Sequence, residues 1–169
     1  AASLLNGGNA SLIQNFEVLG LDVANSTYDT DLLAGATAFS LLTSERGNYT
    51  NVDLTQKLLV NATPTLAASA GNRFTTLNFA TAVGGATSVA DAYAIEFGGV
   101  ASSTATAALP TGVDAKEVRI AGIETVSVLS EGTGYVSNSI KLDDANARTL
   151  TITGSKDLTV AFSSNAGFG

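Results

Sequence analysis

The stretch Thr149-Leu150-Thr151-Ile152-Thr153-Gly154-Ser155-Lys156-Asp157-Leu158-Thr159-Val160-Ala161-Phe162 decides the fold class. Leu150 and Ile152 are separated by threonines, and Leu158, Val160 and Phe162 follow at the same spacing of two. That period belongs to a strand with one buried face, whereas a helix repeats its apolar positions every three or four residues. Gly154-Ser155 breaks the run where the chain must turn.

Upstream, the pattern continues. Lys116-Glu117-Val118-Arg119-Ile120 and Thr125-Val126-Ser127-Val128-Leu129 alternate, the second stopping at Glu131-Gly132-Thr133-Gly134. Ile140-Lys141-Leu142 opens another strand, which Asp143-Asp144-Ala145-Asn146 closes. From Leu142 to Ile152 to Val160 the inward positions recur at intervals of ten and eight. No Asn-Gly or Asp-Gly dipeptide marks a tight hairpin at these corners. Short strands with short polar corners point to a β-solenoid, of parallel β-helix or β-roll type, with loop excursions. Each strand then stacks on one two steps away. An antiparallel β-sandwich is the alternative.

Phe74-Thr75-Thr76-Leu77-Asn78-Phe79 and Ala92-Tyr93-Ala94-Ile95-Glu96-Phe97 read as two further strands. Ala82 to Ala90, rich in Gly, Ala and Ser, reads as a loop, and Gly99 to Gly112 as an exposed excursion. Ambiguous apolar spacing allows a short helix at Leu54–Val60 or Ser88–Tyr93. Residues 1–169 are read as a single β-rich module. Beginning Ala-Ala-Ser and lacking Met, it is expected to be a fragment of a longer chain. Ile13–Leu19 resembles Ile120–Val126, and Val52-Asp53-Leu54-Thr55 echoes Lys156-Asp157-Leu158-Thr159, at offsets of 107 and 104. These echoes suggest repeat units at 13–55 and 120–159.

Composition narrows function. The chain has no Cys and no His, which removes disulfides, thiolate metal sites and the imidazole base. Abundant Ser and Thr therefore lack the partner of an ordinary nucleophile–base pair. Eight Lys+Arg against fifteen Asp+Glu give a net charge of −7, a poor footprint for nucleic acid or an anionic membrane. No apolar run is long enough to span a bilayer. A mean hydropathy of +0.26 with 14% charged residues argues against disorder. Small and β-branched side chains suit thin, closely stacked layers.

Arg119-Ile120-Ala121-Gly122-Ile123-Glu124-Thr125-Val126-Ser127-Val128, followed by Leu150-Thr151-Ile152-Thr153-Gly154-Ser155-Lys156-Asp157-Leu158-Thr159-Val160, resembles bacterial S-layer proteins. It is also similar to large surface proteins exported by type I secretion, some carrying RTX repeats. The likeness covers the last third of the chain best. It implies a solenoid-like, calcium-responsive building block of an extracellular lattice or fibre on the bacterial cell surface. The Gly-Gly-x-Gly-x-Asp nonapeptide of RTX rolls is missing, since Gly84-Gly85 runs into Ala86-Thr87-Ser88.

Calcium takes six to eight oxygens, mostly from carboxylates and carbonyls on turns. Asp143 and Asp144 with Asn146 offer three such groups on one corner, and Asp157 joins them if the strands stack suitably. Asp29 with Asp31, and Asp22 with Asn25, are looser candidates. The alternative role of such residues is capping turns and keeping edges soluble. Glu117 and Glu124 are the only carboxylate pair beside strong strands that could act as acid and base. Glu17 and Glu124 hold matching places in the suggested repeat, as ligands or as corner acceptors. Sequons at Asn9, Asn25, Asn48 and Asn61 are expected by chance in so Asn-, Ser- and Thr-rich a chain.

The expectation is a non-enzymatic structural subunit that associates with identical copies. Its charge opposes assembly until divalent cations bridge carboxylates. A rival is an adhesin stalk or carbohydrate-binding module whose partner is a cell-surface polysaccharide.

Overall fold

A computed structural model describes residues 18–21, 27–32, 35–41, 47–61, 63, 74–80, 91–98, 112–133 and 137–163. Within them the chain forms β1 (Val18–Leu21), β2 (Thr27–Asp29), β3 (Ala38–Leu41), β4 (Asn48–Val52), β5 (Lys57–Val60) and β6 (Phe74–Phe79). It continues through β7 (Ala92–Phe97), β8 (Asp114–Ile120), β9 (Thr125–Ser130), β10 (Ser137–Asp143), β11 (Thr149–Gly154) and β12 (Asp157–Phe162). A 3-10 turn, Thr30–Leu32, follows β2.

The strands alternate between two six-stranded sheets, one ordered β1-β3-β5-β7-β9-β11 and the other β12-β10-β8-β6-β4-β2. All pairings among the described residues are parallel, each strand lying beside the one two places away in sequence. The antiparallel sandwich is thereby overturned: a two-residue hairpin can only make antiparallel neighbours, whereas here every corner carries the chain across to the facing sheet.

Register places like on like. In the first sheet Phe39 pairs with Leu58, Leu58 with Ile95, Ile95 with Val128 and Val128 with Ile152. In the second, Tyr28 pairs with Tyr49, Tyr49 with Leu77 and Leu77 with Ile120. The interior lies between the sheets, where Phe39 stacks on Tyr49 at 4.7 Å and Phe79 meets Tyr93 edge-on at 4.8 Å. Phe39, Leu58, Ile95, Val118, Val126, Val128 and Leu142 have no exposed surface.

The helix expected at Leu54–Val60 is corrected. Leu54 to Gln56 form a turn, and Lys57–Val60 is β5, paired with β3 on one side and β7 on the other. Leu58 and Val60 point inward between the more exposed Lys57 and Leu59, so tertiary pairing overrides leucine's helix propensity. Tyr93, the end of the other helix candidate, lies in β7; Ser88 to Ala90, the Ala82–Ala90 loop and 99–111 fall outside the described residues. So does most of the first suggested echo, at Ile13–Glu17. In the second echo Val52 ends β4 and Asp53–Thr55 turn, whereas Asp157–Thr159 are strand.

Two places require glycine. A Cβ on Gly154 (φ 117°) would stand 2.2 Å from the Ser130 carbonyl oxygen, and one on Gly112 (φ 139°) 1.3 Å from that of Ser137. Ile95→Ala is expected to lower unfolding free energy in urea by about 2–5 kcal/mol through the cavity left in a filled column. Gly154→Ala should cost about 1–3 kcal/mol in the same measurement, because strain and a backbone clash combine at one corner.

Candidate functional site

The corners that lead from the second sheet back into the first gather carboxylates. Before β7, the Asp91 N–H donates to Glu124 Oε2 at 2.9 Å, while the Glu124 N–H donates to the Asp91 carbonyl at 3.1 Å. Before β11, Glu124's own carbonyl accepts from the Arg148 and Thr149 N–H groups. The first two of these corners are thus clamped reciprocally and the third is tied on by one-way backbone bonds, and the Asp91 N–H bond to the Glu124 carboxylate is the corner-acceptor role anticipated for Glu124.

Asp144 sits in the same region, 1% exposed, its Oδ1 accepting from the Asn146 N–H at 2.8 Å. Its Oδ2 is buried without a hydrogen-bond partner, as is Asp91 Oδ2. Burial raises the Asp144 carboxyl from 3.8 to about 6, the charges of Glu124 and Asp143 adding to the effect against the N–H groups of Asn146 and Ala147. Asp143 points outward, bonded to the Ser163 hydroxyl and 3.4 Å from Arg119 Nε.

Asp157 does not join them. It pairs with Ser137 at the start of β10, whereas Asp143 ends that strand, about 20 Å away at 3.3 Å per residue. Asp143 and Asp144 are neighbours whose side chains face opposite ways, one outward and one buried. Among the described residues, no group of three or more carboxylates forms a metal-holding cluster. Asp29 Oδ1 accepts from the Asn51 amide and the Asp31 N–H, a turn-capping role. Asp22, Asn25 and Glu17 lie outside the described residues, as does the Asn9 sequon.

Glu117 is held in two ion pairs. On the outer face of the second sheet its two oxygens take Arg119 Nε at 3.0 Å and Lys141 Nζ at 2.7 Å. Glu124 is committed to the corner clamp. The Arg119 guanidinium lies 3.1 Å over the Phe74 ring, a cation–π contact with no signal in the sequence because register alone brings these strands together. Asp114 is pushed up by burial, but the Lys116 ammonium and N–H outweigh this and hold it below its usual value. Burial likewise drives the Tyr93 hydroxyl well above its ordinary range.

Comparison with family models, with curated proteins and with solved structures gives no match. No helix among the described residues is long and apolar enough to cross a membrane.

The buried Asp144 carboxyl makes stability pH-dependent. Between about pH 4 and pH 6 the native state holds a proton that the unfolded chain has lost, so stability rises as pH falls through that window. The penalty above pH 6 is on the order of 3 kcal/mol. Asp144→Asn keeps the turn acceptor without the charge. It should raise the melting temperature at pH 8 and flatten the rise between pH 6 and pH 4, measured by circular dichroism.

Proposed function

We propose that this chain is a structural module of β-solenoid form whose end strands pair with another copy, building a bacterial cell-surface layer or extracellular fibre. The supporting observation is the contrast along the stack. Ile152 and Phe162, on β11 and β12 at one end of the two sheets, are 49% and 44% exposed. Their column neighbours Val128 and Leu142 have no exposed surface. One edge of β11 and one of β12 carry no strand among the described residues. Such an edge is a template for main-chain pairing.

The role is taken as structural, not catalytic, because Glu117 and Glu124, the pair considered for acid and base, are engaged in ion pairs and a corner bond and no imidazole or thiol exists to activate a hydroxyl. A net charge of −7, with Asp31, Asp53 and Asp157 exposed, opposes association. Calcium bridging carboxylates of adjoining copies is proposed to relieve that repulsion. Extracellular placement rests on the sequence resemblance and on a cysteine-free, acidic composition.

Multi-angle light scattering tests this. Mass should grow with protein concentration and grow further with added calcium, reversing on chelation. Ile152→Ser with Phe162→Ser should shift the population toward monomer by tenfold or more, on the order of the 1.4 kcal/mol that a decade requires. A wild-type chain that stays monomeric with and without calcium would sink the proposal.

A further inference from the structure

The outer face of the second sheet carries a trough that neither the stack nor its ends need. Register aligns Thr76 with Arg119 and Arg119 with Asp143, so three outward residues form a polar row across β6, β8 and β10. Two residues further along each chain come Asn78, Ala121 and Ala145. The two alanines, both exposed, leave a depression of about 290 Å³ beside the row, lined also by Asn78. Adjacent strands lie about 4.8 Å apart, so the row spans roughly 10 Å.

The groups around the trough are held in place. Asn78 Nδ2 donates to Asn48 Oδ1 at 2.6 Å and to the Tyr49 carbonyl at 3.2 Å, which leaves its Oδ1 as an acceptor with no partner among the described residues. Arg119 is fixed through Nε by Glu117 and Asp143, with its plane on Phe74. Its terminal amino groups bond to no described residue, and the Thr76 hydroxyl is equally uncommitted. Fixed donors and acceptors beside an apolar floor lower the ordering cost of binding.

We infer that this trough binds a neutral saccharide, the alanine methyls meeting the C–H face of a sugar ring and Asn78, Thr76 and Arg119 meeting its hydroxyls. A saccharide hydroxyl both donates and accepts, matching the mixed rim. Charge selects against acidic polymers: Arg119 and Lys141 are already balanced by Asp143 and Glu117, on a chain of net charge −7. The inference does not rest on self-association.

The test is a titration of the ¹⁵N-labelled chain with maltohexaose, cellohexaose and chitohexaose, with alginate as the acidic comparator. At least one neutral oligosaccharide should give saturable shifts at the Thr76, Asn78, Arg119, Ala121 and Ala145 amides, in the millimolar range expected of an open site. Ala145→Leu fills the trough from an exposed turn and should abolish those shifts, with melting temperature and light-scattering mass unchanged. Asn78→Ala, also at an exposed position, should weaken them at least tenfold and serves if Ala145→Leu does not fold. Absence of saturable shifts with all three sugars, shifts that persist in both variants, or a stronger response to alginate would each overturn the inference. Loss of self-association with binding retained would leave it standing.

Discussion

Parallel, in-register pairing of each strand with the strand two places along is the constraint on which everything else depends. It converts a period of two along the chain into columns that run across the strands. Once Leu58 lies on Phe39 and Ile95 on Leu58, a pleat that faces inward in one strand of the first sheet faces inward in the next, while the second sheet shifts register between Tyr49 and Val52 and between Ser139 and Lys141. A slip of one residue would expose a whole column, so the hydrophobic pattern fixes the register as firmly as the hydrogen bonds do.

The same constraint explains where charge can go. Outward positions also form columns, and there the pairing brings Glu117 to Lys141 and Arg119 to Asp143. These pairs are partly exposed and each is worth little to stability. They order the outer face rather than hold it together. Inside, the arrangement is less forgiving: Thr75 and Tyr93 each bury a hydroxyl without a partner, and Asp144 and Asp91 each a carboxylate oxygen. The apolar columns carry enough burial to tolerate those costs.

Much of the strand content was legible. In Thr125–Ser130 and Ser137–Asp143 buried residues alternate with more exposed ones, whereas Thr149–Gly154 and Asp157–Phe162 form the strands their sequence pattern predicts but stand at the end of the sheets without a buried face. Lys57–Val60 was ambiguous for a physical reason: Leu58-Leu59-Val60 is uniformly apolar, and only its two neighbours reveal which residues turn inward. Parallel and antiparallel pairing share the period of two, so sequence could favour stacking but not decide it. At the site, Asp143-Asp144 was readable as a corner, yet the burial of one and exposure of the other depends on which way the pleat falls. The distance of Asp157 from both follows from β12 running parallel to β10, and the Arg119–Phe74 contact from β8 lying on β6.

The corners are of very unequal length. Only Asp53 to Gln56 separate β4 from β5, while the chain from Phe97 to Asp114 is several times longer, and yet the ladder resumes in step on either side. Because the entropy of closing a loop grows only logarithmically with its length, such a scaffold is nearly indifferent to how much chain its corners carry. Evolution can therefore lengthen, exchange or decorate a corner without retuning the layers beneath it, so the variable part of the molecule and its rigid part are free to change at different rates.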